Sequence, residues 1–467
     1  MGYPPKSHHT TQPARTPLPR EARRELALIF ALFITMRLMC VWWFRPLYSE
    51  AAGFFLPFAY LQDAGYYPFF DYWLEYPPVL AYFIVALRAI AVAICGRGSV
   101  AWQALCLTRI VQIGSIACET GALALLYAMA KMLRGHKSAA RACWIYIALF
   151  STAFVTLSYL DALPVLLMLA AIVFAVYSRP MWAALTVAAG FMTKVFPIGI
   201  LPTVLKCEAR WRWRLAPLGV FLLFVAYFAA PFAVTGSHWL ACSAESTVRR
   251  PGWQTVWALI EGRSEFGYVG PRRVDQTPRF FEPERHGIVP GTAALLKALP
   301  LDVYGPPPVR RTVFYRVASR FARKLDFLGA GPQGPARWIY GAAGIAVALF
   351  FLVTSARLPA ALPPRRRLTY AAFTMFLLFF YAKGWSPQFV AYLIPLLLIA
   401  FPETEAGLWC LLLTVVAFIE MPLWAVHLHG HAGMAVADRL VLQATVIART
   451  ALLLVIITRL YRRLWND

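Results

Sequence analysis

Four carboxylates crowd one short aromatic stretch. Residues 48–82 read YSEAAGFFLPFAYLQDAGYYPFFDYWLEYPPVLAY, with Glu50, Asp63, Asp71 and Glu75 set among Phe, Tyr and Trp. A carboxylate pressed between apolar elements loses water, and its pKa rises toward the range where it can serve as a general base. Composition alone is met as well by solvated loop charges. Elsewhere Arg37, Arg109, Glu119 and Glu420 fall inside apolar runs, where an ionisable side chain is a functional suspect. An internal arginine such as Arg37 is a candidate partner for Glu420. His427, His429 and His431 form an HLHGH run without acidic or cysteine company, which reads as interfacial histidines rather than a zinc site. No metal is required, and a divalent ion stays an open question. Residues 310–327 place Arg316, Arg320 and Arg323 on one helical face and Val313, Val317 and Phe321 near another, the pattern of an amphipathic surface helix.

The elements that must hold these residues are dictated by composition. Of 467 residues 60% are hydrophobic and 14% charged, whereas soluble domains are nearer a quarter charged. That excludes an ordinary soluble enzyme; the solvent for this much apolar surface is lipid. Forty-five Lys and Arg against 22 Asp and Glu give a net charge of +23. The basic residues sit in short clusters between apolar runs, as in a polytopic protein facing an anionic leaflet, and no nucleic-acid partner is implied. Eight cysteines lie mostly in apolar stretches without paired spacing and read as small core residues.

A span needs about 20 apolar residues. The first run, 26–44, follows Arg15, Arg20, Arg23 and Arg24, which puts a basic tail, 1–25, in the cytoplasm and makes the first span a retained one. The run 79–95 is short and carries Arg88 at its middle, so it is laid along the outer interface, and 105–130 becomes the second span. Spans at 143–157 and 163–177 follow. Runs 182–193 and 195–206 are too short to cross comfortably and are read as half-crossings meeting at Lys194, a break that membrane depth tolerates only beside protein or a cavity. Further runs at 215–234, 336–354, 368–381, 388–401, 407–426 and 441–457 alternate to give about 12 crossings with both termini inside. Residues 26–467 form a single membrane-embedded domain with external loops at 45–104 and 235–335. No inverted or tandem repeat is visible.

An acidic residue just after the first span, followed by Gly65, Pro68, Phe69, Asp71, Tyr72, Glu75, Tyr76, Pro77 and Pro78, resembles the first external loop of integral membrane glycosyltransferases of superfamily C (GT-C). It is most similar to the bacterial polyprenol-phosphate-mannose-dependent mannosyltransferase-like family, glycosyltransferase family 87. Four further stretches resemble that family in order: SYLDAL at 158–163, FMTKVFPIGILP at 191–202, RPGWQTVWALIEG at 250–262 and KGWSPQFVAYLIP at 383–395. One departure is plain. The family's aspartate before the Gly-Pro-Tyr segment is replaced by Ala51, Ala52 and Gly53, leaving Glu50 as the nearest acid. Either Glu50 substitutes with a longer arm, or Asp71 or Glu75 acts as base.

The resemblance implies an all-α GT-C bundle of about 12 transmembrane helices with external juxtamembrane helices. It also implies inverting transfer of a sugar, mannose in the first instance, from a polyprenyl-phosphate donor. The acceptor is a glycolipid, glycan or protein at the outer face of a bacterial plasma membrane. Lys194 and Lys383, with Arg249 and Arg250 behind them, would neutralise the departing phosphate; snorkelling helix ends and a solvated loop are the plain alternatives. Asp161, Gln388 and Tyr76 would meet sugar or acceptor, and Trp253 or Trp385 would stack on a pyranose face. A secondary transporter or lipid flippase would use the buried charges instead, and a polymerase or ligase of lipid-linked glycans would share the outer loop and the lipid partner.

Overall fold

The computed structural model describes residues 19–43, 50–51, 55, 61, 66–72, 74, 76–96, 98–235, 237–244, 252–260, 337–420 and 436–466. The apolar runs read from the sequence within them are helical, and among the described residues there is no strand, only isolated bridges at Pro68–Tyr72 and Trp253–Gly384.

Helix α1 is Arg20–Trp43, α2 is Pro78–Cys95 and α3 is Val100–Arg134. Proline at the first turn opens α2, where its missing N–H costs nothing, and Gly96 at φ 73° closes it. Ser99 caps α3 by accepting from the Trp102 N–H at 3.3 Å. With 35 residues, α3 is about 52 Å long, well beyond the roughly 30 Å hydrocarbon core of a bilayer. Its two halves have different partners. The Arg37 guanidinium of α1 reaches Glu119 in the C-terminal half, whereas the Trp102 indole N–H and Gln103 near the N-terminus bond Cys95 O and Arg88 of α2. Arg88 is buried against this partner. At eighteen mostly apolar residues α2 is long enough to cross a membrane, so its length does not exclude it as a span.

Helices α4, His136–Ala148, and α5, Phe150–Ser158, replace the single span expected at 143–157; they meet at Leu149 with a 62° bend. The cause is a side chain bonding the broken end. The Thr152 hydroxyl donates toward the Tyr146 and Leu149 carbonyls, at 3.1 and 2.8 Å, and accepts from Arg37 at 2.9 Å.

Helix α6 is Ala162–Val176 and α7 is Pro180–Thr193; a 3-10 turn, Phe196–Ile200, and α8, Leu201–Leu205, run back from the corner at Lys194. The returning leg lies close on α7, because a Cβ at Gly190 would stand 2.8 Å from Pro197 Cβ. Helix α9 is Trp211–Val234, followed by short α10, Trp239–Ala244, and α11, Val256–Ile260. Helices α12, Arg337–Arg357, and α13, Pro364–Tyr381, precede a 3-10 turn at Pro387–Phe389. Then come α14, Val390–Ala400, α15, Glu403–Phe418, and α16, Val436–Asn466. Every residue of α14 is buried, making it the central post of the bundle, whereas α9 and α12 present exposed Leu222, Leu223, Ile345 and Leu349, as lipid-facing helices do.

Fewer than the twelve expected crossings are found among the described residues. Six helices among the described residues are long and apolar enough to cross a membrane, α1, α2, α3, α9, α12 and α16, or seven with the bent α4–α5 pair. Helices α6, α7 and α14 are apolar but shorter than a full span. The protein is an all-α, polytopic chain suited to a multi-pass place in a lipid bilayer.

Candidate functional site

Residues from four distant parts of the chain meet at one end of α14. Glu50 is 4% exposed and held by two donors: the Tyr76 hydroxyl reaches Oε1 at 2.5 Å and the Leu160 backbone N–H reaches Oε2 at 2.9 Å. Tyr76 is half-buried, just ahead of the proline pair that opens α2. Leu160 and Asp161 lie in the link between α5 and α6, so the same turn that supplies the N–H to Glu50 also presents the next carboxylate.

Asp161 is fully buried. Its Oδ2 accepts from the Lys194 ammonium at 2.8 Å and its Oδ1 from the Tyr392 hydroxyl at 2.7 Å. Burial pushes the Asp161 carboxyl above its usual range, nearby Glu50 adds to this, and Lys194 and the two hydrogen bonds pull back. Lys194 stands at the corner where α7 ends, with its ammonium 5.6 Å from the Tyr76 ring centroid. Tyr76 therefore lies between the Glu50 carboxylate and the Lys194–Asp161 pair. Tyr159, beside both carboxylates and bonded to Ser386, is held protonated by burial first and by those two negative charges next.

Gln388 sits one helical turn before Tyr392, so the two side chains share a face of the post. It is 6% exposed and its Oε1 has no hydrogen-bond partner. A buried amide oxygen with nothing to accept from is an unmet demand, of the kind a ligand hydroxyl fills.

A second buried group braces the loops above this cluster. Glu420 accepts from the Trp385 indole N–H at 3.1 Å and pairs with Arg449 of α16; Arg449 also reaches the Gln254 carbonyl and lies 4.3 Å over the Trp385 ring. Glu420 is thus the partner of Arg449, and Arg37 that of Glu119, not of each other as proposed from sequence. Trp385 is 1% exposed, edge-on to Phe379 and Phe389 and covered by the guanidinium, so it has no face to offer a pyranose. Trp253 remains half-buried, with its backbone paired to 383–385 and its ring laid on Gly384, where a Cβ would come within 2.1 Å of the indole. Lys383 enters this arrangement through its carbonyl, which accepts from Trp253 N and Thr255 Oγ1 at 3.3 Å each.

Asp71 braces a turn. Its Oδ2 accepts from the Tyr67 N–H at 2.7 Å beside Phe69, which sits at φ 70°, so the carboxylate has a local backbone role. Glu75, Asp63, Arg249 and Arg250, the helix expected at 310–327 and the histidines at 427, 429 and 431 lie outside the described residues. Among the described residues no group of three His, Cys, Asp or Glu is placed to hold a metal ion.

The structure therefore gathers Glu50, Tyr76, Asp161 and Lys194, with Gln388 one turn before Tyr392, and encloses Trp385. Sequence reasoning missed Tyr392, Tyr159, Ser386 and Arg449. Tyr392 had a usable signal: four residues beyond Gln388 in a helical run, it had to share that face. No protein-family model, curated protein or solved structure matches the chain.

Proposed function

We propose that the chain is a polyprenyl-phosphate-sugar-dependent glycosyltransferase. It would work at the Glu50 end of its bundle, on the outer side of a bacterial plasma membrane, with both termini on the other side. The observation that carries the reading is a buried carboxylate oriented by two donors beside a buried lysine–aspartate pair, separated from it by one half-buried phenol. In this mechanism an acceptor hydroxyl takes the place of Tyr76 at Glu50 Oε1. As its oxygen attacks the anomeric carbon, its proton passes to Glu50, and the bond from that carbon to the donor phosphate oxygen breaks with inversion. The products are the glycosylated acceptor and a polyprenyl phosphate, whose new charge faces the Lys194 ammonium. Asp161 and Tyr392 position that lysine. Gln388 Oε1 accepts from a sugar hydroxyl, and mannose is the sugar the five motif-like stretches favour. The donor and a glycolipid, glycan or protein acceptor are its partners. The charges a transporter would need are joined in pairs between helices, Arg37 with Glu119 and Arg449 with Glu420, which supports a scaffolding role for them.

The test uses purified protein in nanodiscs with radiolabelled polyprenyl-phosphate mannose and a membrane lipid extract. Glu50→Gln keeps the side-chain length and an acceptor for Leu160, so a folded variant should lose transfer by about 100-fold or more, the lower range for a general base. Wild-type rates in Glu50→Gln would remove the base assignment, and no transfer by the native protein from any polyprenyl-phosphate sugar would remove the whole reading.

A further inference from the structure

At the opposite end of α14 from the Glu50 cluster, the bundle contains a polar cavity that the proposed reaction does not use. It encloses about 140 Å³ and is lined by Arg134, Arg365, Arg463, Thr369 and Glu403, with apolar Leu133 and Phe401 among the rest. Two of the arginines hold the end of the post: Arg134 bonds the Leu398 and Phe401 carbonyls, and Arg463 bonds Ala400 O at 2.6 Å while lying 4.7 Å over the Phe401 ring. Those bonds do not use up the donors. Arg134 Nε is buried without a partner, and Arg365 is exposed at the rim. Two helices also begin here, α13 at Pro364 and α15 at Glu403, and their free N–H groups add partial positive charge. Against three guanidiniums the lining sets one carboxylate, Glu403, which accepts from the Ser138 hydroxyl and is held by that bond below its ordinary pKa.

We propose that this cavity is a phosphate-binding site that takes a phosphate mono- or diester, supplied either by an anionic lipid headgroup or by a soluble phosphate. Planar guanidiniums and helix N-termini are the donors phosphate oxygens prefer. Glu405 pairs with Arg463 at 3.5 Å from just outside the lining, which leaves the cluster a surplus of one positive charge, the charge a phosphate diester neutralises. The proposal is independent of the glycosyl-transfer reading, because none of its residues belongs to the Glu50 cluster.

Thermal unfolding of the full chain in a neutral maltoside detergent, followed by tryptophan fluorescence, gives the test. The two probes are inorganic phosphate, against sodium chloride at matched ionic strength, and phosphatidylglycerol in mixed micelles, against phosphatidylcholine. At least one probe should stabilise the protein saturably. Arg365→Ala should raise the half-saturating concentration about tenfold, as expected for one lost charge-assisted contact. Arg357→Ala, which removes the same charge from the end of α12 outside the cavity, should not. Stabilisation by inorganic phosphate identifies a soluble ligand, and stabilisation by phosphatidylglycerol alone identifies a lipid. Arg365→Gln repeats the measurement with a polar stem should the alanine variant melt early without ligand. Absence of saturable stabilisation by both probes, or equal responses of wild type and the Arg365 variants, overturns the proposal.

Discussion

Asp161→Asn isolates the pair at the heart of the site. The asparagine oxygen can still accept from Tyr392, so the change falls on Lys194, a residue only 6% exposed, whose ammonium then faces a neutral amide. Removing one partner of a buried ion pair costs about 3–5 kcal/mol. An independent ceiling comes from titration: a buried lysine that has lost its carboxylate partner can shed its proton. At pH 7, about 3.4 units below the ordinary lysine pKa of about 10.4, this costs about 4.6 kcal/mol at about 1.36 kcal/mol per unit. At pH 9 the same ceiling is about 1.9 kcal/mol. The sign follows from proton counting. The variant's folded state binds fewer protons than its unfolded state, so its stability rises with pH and its deficit against wild type shrinks. Reversible unfolding in mixed dodecyl sulfate and maltoside micelles reads this directly. A deficit below about 1 kcal/mol at pH 7, or one that stays constant from pH 7 to pH 9, would refute the reasoning. Adding Lys194→Met removes the stranded charge and should recover most of the loss, since apolar replacement of a buried pair is often near neutral. That double variant also separates roles. Folded but inactive, it assigns Lys194 to the donor phosphate; folded and fully active, it leaves the pair a structural one.

Gly384→Ala should destabilise by about 1–3 kcal/mol, the usual cost of overpacking, because the new methyl meets the Trp253 indole within 2.1 Å. Gly219→Ala, in open space on α9, should instead gain up to about 1 kcal/mol of helix stability; thermal midpoints of both check this, and reversed signs contradict the packing. Glu420→Gln should cost about 3–5 kcal/mol by stranding Arg449, and limited proteolysis should then cut near Trp253 faster than in wild type. Unchanged protection of that loop would show that the ion pair does not secure it.

Much of this arrangement could be read in advance where it followed from run length and residue type. Two apolar runs of twelve residues, each too short to cross, required a corner, and Lys194 was the residue at the corner. Each long apolar run within the described residues became a helix because lipid leaves the backbone no other partner. The partners of buried charges could not be read the same way. Glu420 chose Arg449 over Arg37 because α15 lies beside α16, a fact of packing between distant segments. The bend at Leu149 was equally hidden, since it depends on Thr152 meeting an arginine 115 positions away. Trp385 could be assigned to a sugar face only while its neighbours were unknown; Phe379, Phe389 and Arg449 enclose it.

The grip of Arg449 on the Gln254 carbonyl has a consequence for biosynthesis. The strap at 252–260 is made early, but the guanidinium that fastens it arrives with the final helix. A nascent chain, or one clipped ahead of Val436, therefore lacks that fastening, and the strap is secured last.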